Sequence, residues 1–170
     1  MHTLINSDNS CSFTGYRPEK FPWGDNESSV RCDLLKENIF HTARRVVVDF
    51  GIGHFICGMA RGSDIFFCEA VLFLRDTFPE ITIEAAIPHN GQSLRWPHED
   101  KLRYSALVDK CDMVTVLNDE YSKNCMMRRN RYMVKNSSIL IAVFDGKSGG
   151  TNNTVNYARN RGLEIIEIVP

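Results

Sequence analysis

The chain has no run of about eighteen consecutive apolar residues, the least that spans a membrane as a helix, and no membrane segment is expected. It has no charge surplus either, since 20 basic and 21 acidic residues leave a net charge of -1. That balance excludes a global electrostatic footprint for duplex DNA or an anionic membrane and leaves room only for local basic patches. No CxxC pair occurs among Cys11, Cys32, Cys57, Cys68, Cys111 and Cys125. Most of them lie in or beside apolar segments, as reduced core thiols do, with Cys125 the one expected at the surface. The five histidines lack ligand spacing, so no metal site is expected. Met1 to Ser10 is polar, without the charged and apolar regions of a signal peptide, and the expected location is the cytoplasm. No repeat, low-complexity tract or linker breaks the 170 residues, which are read as one domain over 1–170; 43% hydrophobic residues suffice for a sizeable core.

What the chain does have is a recurring grammar of strand, glycine-bearing loop and helix. It is clearest in Ile139-Leu-Ile-Ala-Val-Phe144, then Asp145-Gly-Lys-Ser-Gly-Gly-Thr151, then a helical pattern from Asn152 to Arg161. A short apolar run rich in Ile and Val reads as a buried strand, and the glycines let backbone amides close on a ligand. Free N–H groups and the positive end of a helix dipole then meet at one point, which favours an anion.

The same grammar appears twice upstream. Ser10 to Thr14 reads as a strand broken by Gly15-Tyr-Arg-Pro18, and Val30 to Phe50 as a long helix with Leu34, Leu35, Ile39, Ala43, Val46, Val47 and Phe50 at helical spacing. His54 to Cys57 reads as a second strand, followed by Gly58-Met-Ala-Arg-Gly-Ser-Asp64 and a helix to Phe78 capped by Ser63 or Asp64. Further strands are expected at 81–87, 113–117 and 164–169. Helices are expected at 96–110, with Leu102, Ala106 and Leu107 inward, and at 126–136. Strands alternating with helices imply an α/β domain whose mostly parallel sheet is covered on both faces, with a ligand crevice beyond the strand C-termini.

The residues suited to a phosphate-bearing ligand sit in those loops. Thr14 offers a hydroxyl, Gly15 close approach, and Arg17 and Arg61 planar forks that match phosphate oxygens. Gly58 and Gly62 flank Arg61, and Asp64 either caps a helix or accepts from a ribose hydroxyl or Arg61. Arg129 with Asn130 would complete a phosphate or ribose site, and Gly146, Gly149, Gly150 and Thr151 form the last loop. Gln92, Trp96 and Arg103 follow the third strand, where a base or sugar would reach. Asp145 and Glu69 are the carboxylates considered for catalysis, although no Ser-His-Asp set or paired carboxylates can be argued from spacing. Tyr121 and Tyr132 read equally as stacking or packing groups.

Phe13-Thr-Gly-Tyr-Arg-Pro18, Gly58-Met-Ala-Arg-Gly-Ser-Asp64, Arg129-Asn-Arg-Tyr-Met133 and Asp145-Gly-Lys-Ser-Gly-Gly-Thr151 together resemble the YpsA-like branch of the SLOG superfamily. That superfamily joins the DNA-processing protein DprA/Smf to the LOG phosphoribohydrolases. The resemblance runs in order from Cys11 to Pro170. It implies a Rossmann-like three-layer α/β/α sandwich and a nucleotide or ADP-ribose-like ligand at the three loops. Four positions depart from the patterns: Ser63 where DprA proteins usually have Ile, Cys68 where they tend to have His, Tyr16 where the YpsA-like branch usually has His, and Lys135 where an acidic residue is common. LOG enzymes also place a catalytic Glu three residues after the Thr of the glycine motif, where this chain has Thr154.

Three readings follow. The first is a sensor or regulatory module binding a nucleotide or nucleotide-derived small molecule. The second is an N-glycosidic hydrolase of nucleoside monophosphates using Asp145 or Glu69. The third binds single-stranded nucleic acid through Arg128, Arg129, Arg131 and Trp96. The residues leave open a homo-oligomer or a protein partner.

Overall fold

The structure is a computed structural model that describes residues 5–170. The first four residues of the N-terminal stretch read against a signal peptide lie outside the described residues. Six strands, β1 (Ser10–Gly15), β2 (His54–Cys57), β3 (Thr82–Ile87), β4 (Met113–Val116), β5 (Ile139–Val143) and β6 (Glu164–Ile168), form one sheet. Its order is β4-β3-β2-β1-β5-β6 and every pairing is parallel, so the expected mostly parallel sheet is wholly so. Five helices connect them: α1 (Val30–Phe50), α2 (Ser63–Leu74), α3 (His98–Lys110), α4 (Cys125–Lys135) and α5 (Gly150–Asn160).

Right-handed crossovers divide these helices between two faces. From β1 the chain steps outward through β2 and β3 to β4, and α1 packs on α2 and α2 on α3. It then crosses back to β5 and continues to β6, with α4 against α5 on the opposite face. The direction of travel reverses between β1 and β5. These two strands are buried almost throughout, and their register pairs Thr14 with Ala142 and Gly15 with Val143. Their carboxyl ends therefore open side by side at the switch point, where such sheets hold ligands.

The core on the α1–α3 face is apolar and aromatic. Phe13 stacks on Phe67 with centroids 4.4 Å apart, and Phe67 meets Phe55 edge to face at 5.8 Å. All three are fully buried, each worth roughly 2–3 kcal/mol. On α1 the inward stripe is Cys32, Leu35, Ile39, Ala43 and Val46. Leu34 and Phe50, expected inward, are half exposed because their neighbours one helical step away take the core positions. In α3 only Leu107 is buried, while Leu102 and Ala106 face out: α3 lies toward the sheet edge and covers little of it. Cys125 is buried, contrary to expectation, because Cys125, Arg129 and Met133 recur at four-residue steps and form the covered stripe of α4. Among the described residues, no helix is long and apolar enough to cross a membrane.

Candidate functional site

The three glycine-bearing loops do meet at the carboxyl edge of the sheet. After β1 the chain passes Tyr16 and turns through a short 3-10 segment, Pro18–Lys20. Residues three apart in such a turn share a side, so Arg17 and Lys20 project together. The Tyr16 N–H donates to the Val143 carbonyl at 3.0 Å, tying this turn to the end of β5. The Ser63 hydroxyl and N–H both donate to the Tyr16 carbonyl, tying in the loop after β2. Ser63 thus serves the loop rather than capping α2, whose N-cap is Gly62.

Two glycines are required by close approach. A Cβ on Gly15 would lie 2.5 Å from the Ser63 hydroxyl oxygen. One on Gly58 would lie 2.5 Å from Nη1 of Arg129, whose guanidinium lies against the Gly58 backbone and donates to its carbonyl. The loop after β2 therefore seats an arginine from α4.

These ties enclose a cavity of 340 Å³ between the ends of β1 and β5. Thr14, Gly15, Arg17, Asp64, Arg129, Asn130, Gly150 and Thr151, all singled out in the sequence, line it. Tyr16, Glu19, Lys20, Ala60 and Met126 line it too and are not among the ligand residues the sequence suggests. Lys20 was the one with a readable signal, since it follows Arg17 by three residues across a proline. Its ammonium lies 5.2 Å from the Tyr16 ring centroid and fills the space a Cβ on Gly149 would need.

The electrostatics are lopsided. Among the described residues, the Arg17 side chain makes only a 3.9 Å contact with the Met126 sulfur, and that of Lys20 only its ring contact. Arg129, 4% exposed, donates to the Gly58 carbonyl and to Asn130 Oδ1, and has no carboxylate within ion-pair distance among the described residues. Burial lowers the pKa of Arg129, while nearby Asp64 opposes that shift. Burial raises the Asp64 carboxyl, against the opposing pull of Arg129, the Ala60 N–H and Arg17. Asp64 accepts that N–H at 3.0 Å and makes no contact with Arg61. The first turn of α5 adds its unpaired N–H groups at the same mouth.

Asp145 stands beside the cavity rather than free within it. Lys147 approaches one carboxylate oxygen at 2.7 Å, and the Tyr16 hydroxyl donates to the other. Hydrogen bonds from Lys147 and Tyr16 hold this carboxyl far below its ordinary range. Gly146 bends the same loop with nothing packed against it.

The other residues singled out lie elsewhere. Arg61 is spent on Asp100 at 2.8 Å, Asp25 at 2.9 Å and Glu19 at 3.6 Å, with Gly62 beside it. Glu69 receives two hydrogen bonds from Arg103, at 2.7 and 2.9 Å, and Arg103 also grips Glu27. Trp96 packs edge to face on Tyr104, 5.2 Å between centroids. Gln92 donates to the Gly58 carbonyl at 3.0 Å, supporting that loop from behind. Arg128 donates to Asn118 and Arg131 lies over the Tyr157 ring, so Arg128, Arg129 and Arg131 do not form one surface. Tyr132 donates to buried Glu84 at 2.7 Å, which is a packing role. Thr154 accepts from Asn130 at 2.9 Å and donates to the Gly150 carbonyl at 3.0 Å, a neutral link between α4 and α5. No group of three or more His, Cys, Asp or Glu residues suited to a metal occurs among the described residues.

The uncharacterised SPbeta prophage-derived protein YoqJ of Bacillus subtilis is 28% identical over 141 residues, covering 76% of this chain and 82% of YoqJ. DNA processing protein A from Helicobacter pylori, described for its single-stranded DNA binding mode, has a TM-score of 0.66 at 14% identity, covering 98% of this chain and 68% of that one. The Streptococcus pneumoniae DprA has a TM-score of 0.61 at 13% identity, over 93% of this chain and 49% of its own. At such identities these structures speak for a shared fold. The model of the YspA SLOG family matches residues 11–164, from the first strand into the last. The chain belongs to the YspA SLOG family.

Proposed function

We propose that this protein binds a nucleotide or nucleotide-derived small molecule as a sensor or regulatory module, with the ligand's phosphate against Arg17, Lys20 and the first turn of α5. The observation that carries the reading is a pair of cations, Arg17 and Lys20, with no carboxylate within ion-pair distance among the described residues, at a cavity at the switch point. Such groups favour an anion, and a helix N-terminus adds donors already aimed at it. Family membership and the fold shared with a protein described as binding single-stranded DNA agree with a ligand of nucleotide chemistry.

Binding without turnover is the better reading. N-glycosidic hydrolysis needs a carboxylate free to stabilise an oxocarbenium-like centre or to activate water. Thr154 is neutral, Glu69 is held by Arg103, and Asp145 is held by Lys147 and Tyr16. An extended single-stranded nucleic acid would need a continuous basic surface, which Arg128, Arg129 and Arg131 do not provide.

The test is thermal unfolding against AMP, ADP-ribose, NAD and a short single-stranded oligonucleotide, with mass spectrometry of each mixture afterwards. A ligand that binds only the folded state raises the midpoint with concentration. The reading expects a rise with an intact small nucleotide, abolished in Gly150→Asp. Released base would replace it with the hydrolase, and a rise only with the oligonucleotide would replace it with nucleic-acid binding.

A further inference from the structure

A second cavity adjoins the first. It measures 440 Å³, runs between α4 and α5, and shares Met126, Asn130 and Gly150 with the phosphate-facing cavity. The two are compartments of one cleft that meet at these three residues, of which the unbranched methionine adapts its shape readily.

Their chemistry differs. In the first compartment the apolar members Phe13, Tyr16, Ala60 and Met133 are floor residues, at most 5% exposed, and the accessible lining is mostly charged and polar: Arg17, Glu19, Lys20, Asn130 and Thr151, with Met126 at the side. In the second, Met127 is 47% exposed and Tyr157 is half-buried, with the Arg131 guanidinium 5.4 Å from its ring centroid. An aromatic ring, an arginine plane and thioethers are the surfaces on which planar heterocycles stack. The exposed Asn153 side chain makes no hydrogen bond among the described residues, so it is free to offer a donor and an acceptor to the edge of such a ring. Spacing connects the compartments. From Gly150 to Tyr157 α5 advances about 10 Å, comparable with the reach of a nucleotide from its 5′ phosphate to its base.

We infer that the furrow between α4 and α5 receives the heterocyclic base of the ligand, making this a two-compartment site for a nucleoside phosphate rather than a site for a bare sugar phosphate. The inference rests on the phosphate reading above and is separable from it by experiment. A base stacked there gains affinity that ribose 5-phosphate lacks.

The experiment is calorimetric titration of AMP and of ribose 5-phosphate into the wild type, Asn153→Trp and Met127→Ala. AMP is expected to bind the wild type about tenfold tighter than ribose 5-phosphate, the scale of one stacked base. Asn153→Trp fills the furrow and should erase that advantage while leaving ribose 5-phosphate affinity in place, which also shows that the variant is folded. Met127→Ala removes one exposed wall and should narrow the advantage. Should Asn153→Trp unfold, Met127→Ala decides, an unchanged advantage counting against the inference. Equal wild-type affinity for the two probes, or an advantage untouched by both variants, overturns the furrow and spares the phosphate site. Absence of binding by both probes overturns the phosphate reading and this one with it.

Discussion

Two arginine clusters lie at the carboxyl end of the sheet, and they are opposites. Arg61 and Arg103 face five carboxylates, Glu19, Asp25 and Asp100 for the first and Glu27 and Glu69 for the second. Arg17 and Arg129, with Lys20, surround a cavity and face none within ion-pair distance among the described residues. The first cluster staples the turn after β1 to α2 and α3. The second leaves Arg17 and Lys20 at the switch point with no carboxylate within ion-pair distance among the described residues. An arginine in a glycine-rich loop is therefore ambiguous until the carboxylates that reach it from distant segments are known.

Five substitutions sharpen that contrast, from the largest effect to the smallest. Arg129→Met should cost most, because it removes the cation nearest buried Asp64 and empties the space over Gly58. A loss of about 3 kcal/mol in denaturant unfolding near neutral pH is expected, together with loss of nucleotide binding. Arg17→Ala and Lys20→Ala should each weaken nucleotide affinity roughly tenfold, as loss of one charge-assisted contact does, while stability stays within about 0.5 kcal/mol. A stability loss as large as that of Arg129→Met would move them into the structural class.

Arg103→Met should do the reverse and leave affinity unchanged. The pairs are partly exposed, so about 1 kcal/mol of stability is at stake, less at high salt. Burial pushes the Glu27 carboxyl up, but hydrogen bonds from Arg103 and Lys36 outweigh it and hold the pKa below the usual range. A depressed carboxylate contributes stability that is present above its unfolded pKa and lost as pH falls through the folded value. The gap between wild type and Arg103→Met should therefore be full at pH 7 and close as the pH falls below about 4, the ordinary carboxylate value. Thermal midpoints across pH check this, and a gap independent of pH would mean that the arginine acts through packing.

Tyr16→Phe should have the smallest effect. The hydroxyl donates to Asp145 and accepts the Asp145 N–H at 3.3 Å, so its loss frees one end of the glycine loop. Faster hydrogen exchange at the Asp145 amide is expected without loss of the fold. Unchanged exchange would mean that Lys147 alone holds the loop.

Much of the fold was legible because its signals are local. The Ile139 to Val143 run marks a strand buried on both faces, and glycines at the ends of β1, β2 and β5 mark the edge where the loops gather. The parts that escaped depend on distant segments. Nothing near Arg61 shows that Asp25 and Asp100 will reach it, and nothing near Glu69 announces Arg103. Cys125 reads as a surface thiol in the sequence, yet its four-residue spacing to Arg129 and Met133 puts it on the covered stripe. The α4–α5 furrow was unreadable for the same reason, since its walls meet only when the crossover from β4 returns to β5.

The most direct test sets the two clusters against each other in one titration. ADP-ribose would be titrated calorimetrically into the wild type, an Arg17→Ala/Lys20→Ala double variant and an Arg61→Met/Arg103→Met double variant. Binding by the wild type, loss of binding in the first double variant, and near-wild-type affinity in the second despite a lower melting temperature are expected. Retained affinity in the first with loss in the second would contradict the contrast between the clusters.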